Sequence, residues 1–436
     1  MRHFFLNVTA LAPLAIRADH AQGGAKTAQC ISGTTLLGSL AAAHRILRAE
    51  KEEEFADLFL REQVYFPYLY AAQFAKSDAG IHNSSLPVMP LPRTAQACKR
   101  FSGFLPLKGE RDYELRHGVR DSLFDWAIFA LLDQEHTSPA DLLASVNQHD
   151  ECDYVDAQNH ICRQPMDAIH GYYKCGSALS EHGTVQRMKA KLETRLQTRT
   201  GINRTWGVVE ERILYNRQVF DDGMMFWGKV SLHDTLTDTF EEFLVEADNE
   251  ELLHIGTGRT RGLGHVRIHA IEQTDVVGME PEDIAHFTQR LQAFNTAIRK
   301  QLNDGGVKQA DDVFYLAVTL HSPTILCDPF KRYQKALDAV TLSTLVHTEA
   351  HPFQSVYQST AIQHIRGWNE LWGTPRASEY ALEAGSTFLF SYHEQPDSDL
   401  LQALFALEET GIGLRRAEGF GRISISDPFH LQGEQL

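Results

Sequence analysis

The chain has 436 residues, enough for two or three domains with their own cores. Its hydrophobic fraction of 43% is that of a globular protein, and its formal net charge is -16 at pH 7. That charge argues against a protein that coats DNA or RNA nonspecifically, because such binding depends on a broad basic field, although a local basic groove stays open. No apolar run reaches the length of a membrane helix, so we expect a cytoplasmic protein with no membrane partner.

The chain opens on a strand pattern. Apolar residues alternate with partly polar ones, which predicts a strand over residues 4–16. A polar loop over residues 19–29 follows, and the next segment enters a helix whose mouth is rich in small and hydroxyl side chains. Free backbone N–H groups and the helix dipole favour a phosphate at such a place. The mouth consists of Ser32, Gly33, Thr34 and Thr35.

An insertion of about residues 75–198 interrupts this pattern. Residues 73–97 read as a proline-bearing loop, and cysteines and histidines are interleaved further on. In a reducing compartment such a set suggests one structural zinc, because thiolate and imidazole ligands suit that metal. The irregular spacing leaves an unmetallated loop as the alternative. The proposed ligands are Cys152, Cys162 and Cys175 with one of His160 or His170, and Cys98 in reserve.

A loop rich in glycine and arginine occurs twice, over residues 256–264 and 411–421. Each copy is preceded by a Gly-x-x-Phe turn, an apolar run and a helical stretch, and each is followed by an alternating strand. The Gly-x-x-Phe turns lie at residues 223–226 and 385–388. The chain therefore contains two versions of one strand, helix, loop and strand unit.

Both loops follow a helix, predicted over residues 237–253 in the first copy and 400–409 in the second. A dinucleotide or P-loop site needs the loop before its helix. Because the dipole at a helix C-terminus repels anions, binding would come from glycine N–H groups and arginine side chains, which suit a polyphosphate chain such as RNA. The alternative is two ordinary helix-ending turns. The candidate RNA-binding residues are Gly256, Gly258, Arg259, Arg261, Gly262, Gly264, Gly411, Gly413, Arg415, Arg416, Gly419, Gly421 and Arg422.

The second unit opens with a strong strand over residues 313–323. One strand, a helix, two strands, a helix and a last strand is the βαββαβ order of ferredoxin-like folds. We therefore predict an α+β protein of two such domains, over residues 1–275 and 276–436.

These features together resemble the RAMP superfamily of CRISPR-associated proteins. They are the opening strand, the segment over residues 31–40, the Gly-x-x-Phe turns and the terminal glycine loops. Within the superfamily, further segments resemble the Csx-ten family of subtype III-D effector complexes. Those segments are residues 92–99, 117–121, 214–217, 367–369 and 375–376.

The resemblance implies two fused RNA-recognition-like ferredoxin folds in one subunit of an antiviral ribonucleoprotein complex. It also implies that the subunit caps the five-prime handle of the CRISPR RNA beside the large subunit and backbone RAMP subunits. The insertion departs from the common family pattern, because residues 159–162 lack a compact Cys-x2-Cys.

Catalysis has little support in the sequence. No histidine pair with a partner acid or hydroxyl stands near both glycine loops, although the chain has 21 histidines. Asp19 and His20, in the loop after the first strand, are the candidates at a place where RAMP chemistry occurs. We expect a binding subunit. The alternatives are an endoribonuclease that matures precursor RNA and a backbone subunit that polymerises along the guide, although two nonidentical cores favour a cap present once.

Overall fold

The computed structural model describes residues 1–17, 26–72, 88–105, 116–134, 150–156, 158–176, 186–189, 192–202, 209–272, 283–307, 313–348, 352–369 and 373–431. The helices are α1 (Gly33–Leu47), α2 (Glu52–Phe59), α3 (Leu123–Gln134), α4 (Thr237–Asn249), α5 (Ile284–Asp304), α6 (Ala339–Leu345), α7 (Ser398–Thr410) and α8 (Pro428–Leu431). In this part of the chain no helix has the length and apolarity to cross a membrane.

The strands of the first half are β1 (Arg2–Ala10), β2 (Cys30–Ile31), β3 (Val64–Tyr65), β4 (Leu69–Ala71), β5 (Val88–Pro90), β6 (Ala95–Cys98), β7 (Val119–Asp121), β8 (Met166–Ala168), β9 (Tyr172–Gly176), β10 (Gln186–Lys189), β11 (Thr194–Ile202), β12 (Val209–Phe220), β13 (Met225–Leu232) and β14 (Val266–Glu272). Those of the second half are β15 (Phe314–Leu320), β16 (Gln354–Ser359), β17 (Ile362–Ile365), β18 (Trp368–Asn369), β19 (Thr374–Pro375), β20 (Glu379–Leu382), β21 (Thr387–Tyr392) and β22 (Ile423–Ile425).

The first large sheet is antiparallel and has the order β14-β1-β13-β4-β2, with β3 also paired to β13. Strand β1 alternates in sequence, so Phe4, Leu6 and Val8 all point to one face and are completely buried. That face packs against α1 and α4, which contribute Leu40 and Phe243 to the same core. The alternation that predicts the strand thus also selects the face under the helices.

The second large sheet has the order β16-β21-β15-β22. All seven residues of β15 are buried, because both faces of this strand are covered. Leu316 packs in one core with Leu404 of α7, whereas Tyr315 packs in another with residues of α3 and α5. A continuous apolar run is the sequence pattern that such a strand requires. The α+β class predicted from the sequence is confirmed.

The helix-free face of the first sheet is covered by the C-terminal half. Phe5 and Trp227 stack at a ring-centroid distance of 4.4 Å, and both are almost completely buried. Ile325 and Phe420 pack on the same cluster from the C-terminal half. This aromatic sheet face is therefore an internal contact between the two halves, and it is closed to ligands.

Element boundaries differ from the sequence prediction where the chain turns early. Strand β1 ends at Ala10, because the next two backbone N–H groups donate to His265 O and the chain leaves the sheet. Helix α4 ends at Asn249, and Glu251 adopts a left-handed φ of 56°. The loop predicted over residues 73–97 contains β5 and part of β6 at its end, while residues 73–87 lie outside the described part.

Candidate functional site

The N-terminal glycine loop (residues 256–264) is a closed backbone ring. Gly258 (φ 86°) and Gly262 (φ 72°) are left-handed and bracket one 3-10 turn, Arg259–Arg261. The amide of Ile255 donates to Gly264 O at 2.8 Å, which closes the loop. Arg259 and Arg261 are both exposed. The loop therefore presents two guanidinium groups to solvent on a fixed backbone.

The C-terminal glycine loop (residues 411–421) has the same construction. Arg415 (φ 58°) and Gly419 (φ 90°) bracket the turn Arg416–Glu418. The amide of Ile412 donates to Gly421 O at 2.8 Å, the same closure as in the first loop. The two loops are thus structural equivalents, as the sequence repeat indicates.

The C-terminal loop is docked against the start of α1. Thr34 Oγ1 donates to the Glu418 carboxylate at 2.9 Å, and Arg415 donates to both oxygens of that carboxylate at 3.0 and 2.7 Å. Arg376 donates to it as well, at 3.0 Å. Burial alone would raise the pKa of Glu418, but the Arg415 hydrogen bonds and charge outweigh it and lower this pKa. A carboxylate of the chain itself therefore lies beside the first turn of α1.

This contact lies at the helix mouth, where the sequence predicts a phosphate site. A Cβ atom on Gly33 would lie 2.3 Å from Glu418 O and 2.8 Å from Phe66 O, so glycine is required for the close approach of protein backbone. Ser32 Oγ accepts the amide of Thr35 at 3.3 Å and serves as the N-cap. Ser32 and Thr35 thus form the cap of α1, and Gly33 and Thr34 contact the C-terminal glycine loop.

Arg422, a predicted RNA-binding residue, is held inside the protein. Its guanidinium donates to Glu409 O at 2.8 Å and to Ser231 Oγ at 3.1 Å, so it bridges the two halves of the chain. Burial lowers its pKa to about 10. Arg415 is likewise held by Glu418 and Glu379.

Arg416 differs from Arg415 and Arg422 in its surroundings. It is half-buried and makes no ion pair with any described residue. Of the loop arginines, Arg259 and Arg261 are therefore exposed and Arg416 is half-buried, whereas Arg415 is held by two carboxylates of the chain.

A second cluster, the thiol-imidazole group, consists of Cys98, His117, Cys152 and Cys162, whose ligand atoms all lie within 4.8 Å of one another. Cys98 Sγ and Cys162 Sγ are 3.9 Å apart, and Cys152 Sγ is 3.4 Å from His117 Nδ1. A tetrahedral zinc with bonds of about 2.0–2.3 Å needs ligand atoms about 3.5–3.8 Å apart. The group therefore brings four ligand atoms close enough together that it could hold a metal ion.

The surrounding backbone and rings fix these ligands. Cys98 ends β6, and the amide of Cys152 donates to Gln164 O at 2.7 Å. The imidazole of His117 lies between the rings of Phe101 and Tyr154, at centroid distances of 4.3 and 4.0 Å. Aromatic stacking on both sides holds the ring plane, so Nδ1 stays directed at the thiols.

Burial shifts the pKa values of this group in opposite directions. It raises the pKa of the Cys152 thiol to about 12, with the nearby Cys98 and Cys162 thiols adding to the effect. Burial also lowers the pKa of His117, which favours the neutral imidazole that a metal requires.

The predicted ligands divide into two sets. Cys152, Cys162 and the reserve Cys98 come together, whereas His160 is 79% exposed and contacts Asp156 at 3.3 Å. His170 is exposed and is likewise outside the group, and the side chain of Cys175 lies outside the described part.

Sequence reasoning missed His117. It stands 35 residues before Cys152, and the pairing of β6 with β7 brings its segment beside Cys98. Its place in residues 117–121, a segment that carries the family resemblance, is the signal that could have found it.

A buried histidine network joins the insertion to the C-terminal half. His430 Nδ1 lies 2.5 Å from Asp121 Oδ2, and its Nε2 lies 2.8 Å from Thr319 Oγ1. Thr319 and His430 are buried and the Asp121 side chain is 4% exposed, so this arrangement links α8 to β7 and β15 inside the protein. Asp19 and His20, the catalytic candidates, lie outside the described residues.

A family model described as the RAMP superfamily matches residues 7–267, more than half of the chain. The chain belongs to the RAMP superfamily. No curated protein matches it.

Among solved structures, a type III-B Cmr-beta complex bound to cognate target RNA is similar at 9% identity, with 88% of this chain and 86% of that chain covered and a TM-score of 0.30. The same kind of complex bound to cognate target RNA and AMPPnP is similar at 9% identity, with 93% of this chain and 93% of that chain covered and a TM-score of 0.32. A Cas6 product complex gives 10% identity, 78% of this chain, 98% of that chain and a TM-score of 0.31.

Proposed function

We propose that this RAMP protein is a non-catalytic RNA-binding subunit of a type III CRISPR effector complex, of the Csx-ten family of subtype III-D. In this role it caps the five-prime handle of the CRISPR RNA and contacts the large subunit. The observation that carries the proposal is the N-terminal glycine loop. Its 3-10 turn is bracketed by two left-handed glycines, and Arg259 and Arg261 of that turn are exposed.

The chemistry of that loop suits an RNA backbone. Guanidinium groups bind phosphate oxygens in bidentate fashion. The amides of Gly262 and Gly264 donate to Arg259 O and Pro13 O, so the proposed contacts to RNA come from the arginine side chains of the loop. A Cβ on Gly258 would lie 3.0 Å from Arg217 Nη1, so a third guanidinium stands beside the loop. Three positive groups close together on an acidic protein favour the binding of a polyanion at this loop.

We further propose that the two large sheets are two fused ferredoxin-like units. The orders β14-β1-β13-β4 and β22-β15-β21-β16 place the first strand of each unit between its last strand and its third. Each unit ends with a helix, a glycine loop and a strand. Two nonidentical units in one chain favour a cap present once over a subunit that polymerises along the guide.

We propose one structural zinc held by Cys98, His117, Cys152 and Cys162. Four protein ligands complete a tetrahedral site and leave no open position for water, which is the pattern of structural rather than catalytic zinc. Because these ligands come from β6, from residues ahead of β7 and from the loop before β8, the metal would pin the insertion together.

Binding of the purified chain to a repeat-derived RNA tests the function. An RNA with the five-prime handle is compared with the same RNA after removal of the handle, by titration at fixed salt. We expect tighter binding of the RNA with the handle. Equal affinity for the two RNAs would contradict capping, and no affinity for either would contradict RNA binding altogether.

A further inference from the structure

An aromatic ladder lies on the surface of the C-terminal half. It consists of Tyr333, His364 and Tyr380. Tyr333 is 40% exposed and Tyr380 is 52% exposed, and His364 is exposed as well. Their rings contact in series: His364 stacks on Tyr380 at 4.9 Å with an interplanar angle of 19°, and Tyr333 meets Tyr380 edge-to-face at 5.8 Å and 73°.

The backbone holds this ladder in place. His364 of β17 and Tyr380 of β20 are directly paired across an antiparallel ribbon, so both rings stand on the same face. Tyr333 is fixed by a β-bridge to Cys327. The rings are thus pre-arranged in the absence of any ligand, and binding would order few additional side chains.

Positive charge borders the ladder. Arg366, two residues after His364 and therefore on the same face, donates from Nε to His364 Nδ1 at 3.1 Å. Lys331 and Arg332 immediately precede Tyr333 and are exposed, and Arg332 is paired with Asp328 at 2.6 Å, which leaves Lys331 and Arg366 as the bordering cations. The neighbouring carboxylate of Glu379 is held by Arg415. On a chain with a net charge of -16, such a cationic aromatic surface is complementary to a polyanion with flat rings.

The ladder also adjoins the C-terminal glycine loop. Glu379, the residue before Tyr380, accepts a hydrogen bond from Arg415 of that loop. Arg376, four residues before Tyr380, donates to Glu418 of the same loop. The ladder therefore lies beside the C-terminal glycine loop.

We infer that the aromatic ladder of Tyr333, His364 and Tyr380 is a stacking platform for unpaired RNA bases. Exposed rings flanked by cations bind single strands because every base has a π-face, whereas paired bases in a duplex do not present theirs. The inference rests on the proposed RNA-binding function and adds to it the state of the RNA, namely a single strand with accessible bases.

The test measures equilibrium binding of the full chain to a short single-stranded RNA and to a duplex of the same strand. Tyr380→Ala and Tyr333→Ala should each weaken single-strand binding roughly fivefold to a hundredfold, the effect of losing one stacked base. The salt dependence should stay unchanged, because no phosphate contact is lost. Tyr380→Phe keeps the ring and should bind as the wild type does. Val245→Ala, an equally exposed apolar residue on α4, is the matched control.

The possible results distinguish failure of the stacking platform from failure of the proposed RNA-binding function. If the wild type binds RNA and Arg259→Ala weakens it while Tyr380→Ala and Tyr333→Ala do not, the ladder is overturned and RNA binding stands. If the wild type binds no RNA, both are overturned. A 2-aminopurine base in the single strand gives a second readout. Its fluorescence should be quenched by the wild type and less so by Tyr380→Ala, and equal quenching by the two would contradict the platform.

Discussion

Thr34 in the first turn of α1 donates a hydrogen bond of 2.9 Å to Glu418 in the C-terminal glycine loop, and the two residues are 384 positions apart in the chain. The bond joins the first structural unit to the last. Because α1 begins beneath the loop, Glu418 stands where a helix N-terminus could otherwise take an external anion. The two glycine loops, alike in backbone, therefore differ in role: the C-terminal loop holds the halves together, and the N-terminal loop faces solvent.

Loss of the Glu418 side chain should destabilise the protein. Glu418→Ala removes the acceptor shared by Thr34 and Arg415 in a half-buried place, and we expect a loss of about 2 kcal/mol in the free energy of unfolding by urea. Arg61→Ala is the control, because Arg61 also pairs with two carboxylates but is well exposed, and its loss should change little. An equal effect of the two substitutions would show that the Glu418 contact does not stabilise the junction.

The same contact predicts a pH dependence. The pKa of Glu418 is lowered in the folded chain, so its contribution is present above the ordinary glutamate pKa of about 4.5 and is lost as the pH falls below that value. The difference in stability between wild type and Glu418→Ala should therefore shrink as the pH is lowered through this range. A difference that stays constant in acid would contradict an ionised, paired Glu418.

The sequence predicts the local parts of this fold better than its long-range contacts. Strand β15 and helix α7 follow from apolar pattern, and the glycine loops follow from their repeat, because these signals lie within a few residues. The contact of Glu418 with Gly33 leaves no local signal, since any partner could cover a helix mouth. Arg422 leaves no local signal either, because the sequence around an arginine does not distinguish one that bridges two domains from one that binds phosphate.

The thiol-imidazole group likewise combines ligands that the sequence predicts with ligands that only the fold brings in. The chemistry of cysteine and histidine predicts zinc-like ligands in the insertion, and two of the thiols come from the predicted set. The partner His117 and the reserve Cys98 join them only through the pairing of β6 with β7. Spacing within one loop favoured His160 and His170, which the backbone instead turns outward.

Arginines of the exposed loop should bind RNA through phosphate. Arg259→Ala and Arg261→Ala should each weaken binding of handle RNA. Each should also reduce the magnitude of the slope of log affinity against log salt concentration by roughly one, because one phosphate contact and its released counterion are lost. Arg259→Lys should restore the affinity only in part, because an ammonium group cannot make the paired contact. Salt titrations with the four proteins measure both quantities. Unchanged affinity and slope in both alanine variants would remove the loop from the RNA interface.

Elemental analysis tests the zinc site. Protein purified without chelator should carry about one zinc per chain. Cys98→Ser, Cys162→Ser and His117→Ala should each lose most of it, whereas His160→Ala and Cys327→Ser should keep it because neither residue belongs to the group. Full zinc content in the first three variants, or none in the wild type, would contradict the assignment.

The chain alone should leave RNA intact. Cleavage needs a base, a group that stabilises the developing charge and a fixed in-line geometry, whereas the exposed loop offers grips for phosphate. Repeat RNA incubated with the protein, with and without divalent metal, should stay full length on a denaturing gel. Specific cleavage that disappears in Asp19→Ala or His20→Ala would establish the endoribonuclease instead.

Mass spectrometry of the intact effector complex, purified with its RNA, tests the central claim most directly. It gives the number of copies of this chain and, after sequencing of the protected RNA, the end that the chain holds. We predict one copy per complex, cross-linked to the five-prime handle through the N-terminal glycine loop. Several copies spaced along the guide, or a single copy without contact to the handle, would contradict the account.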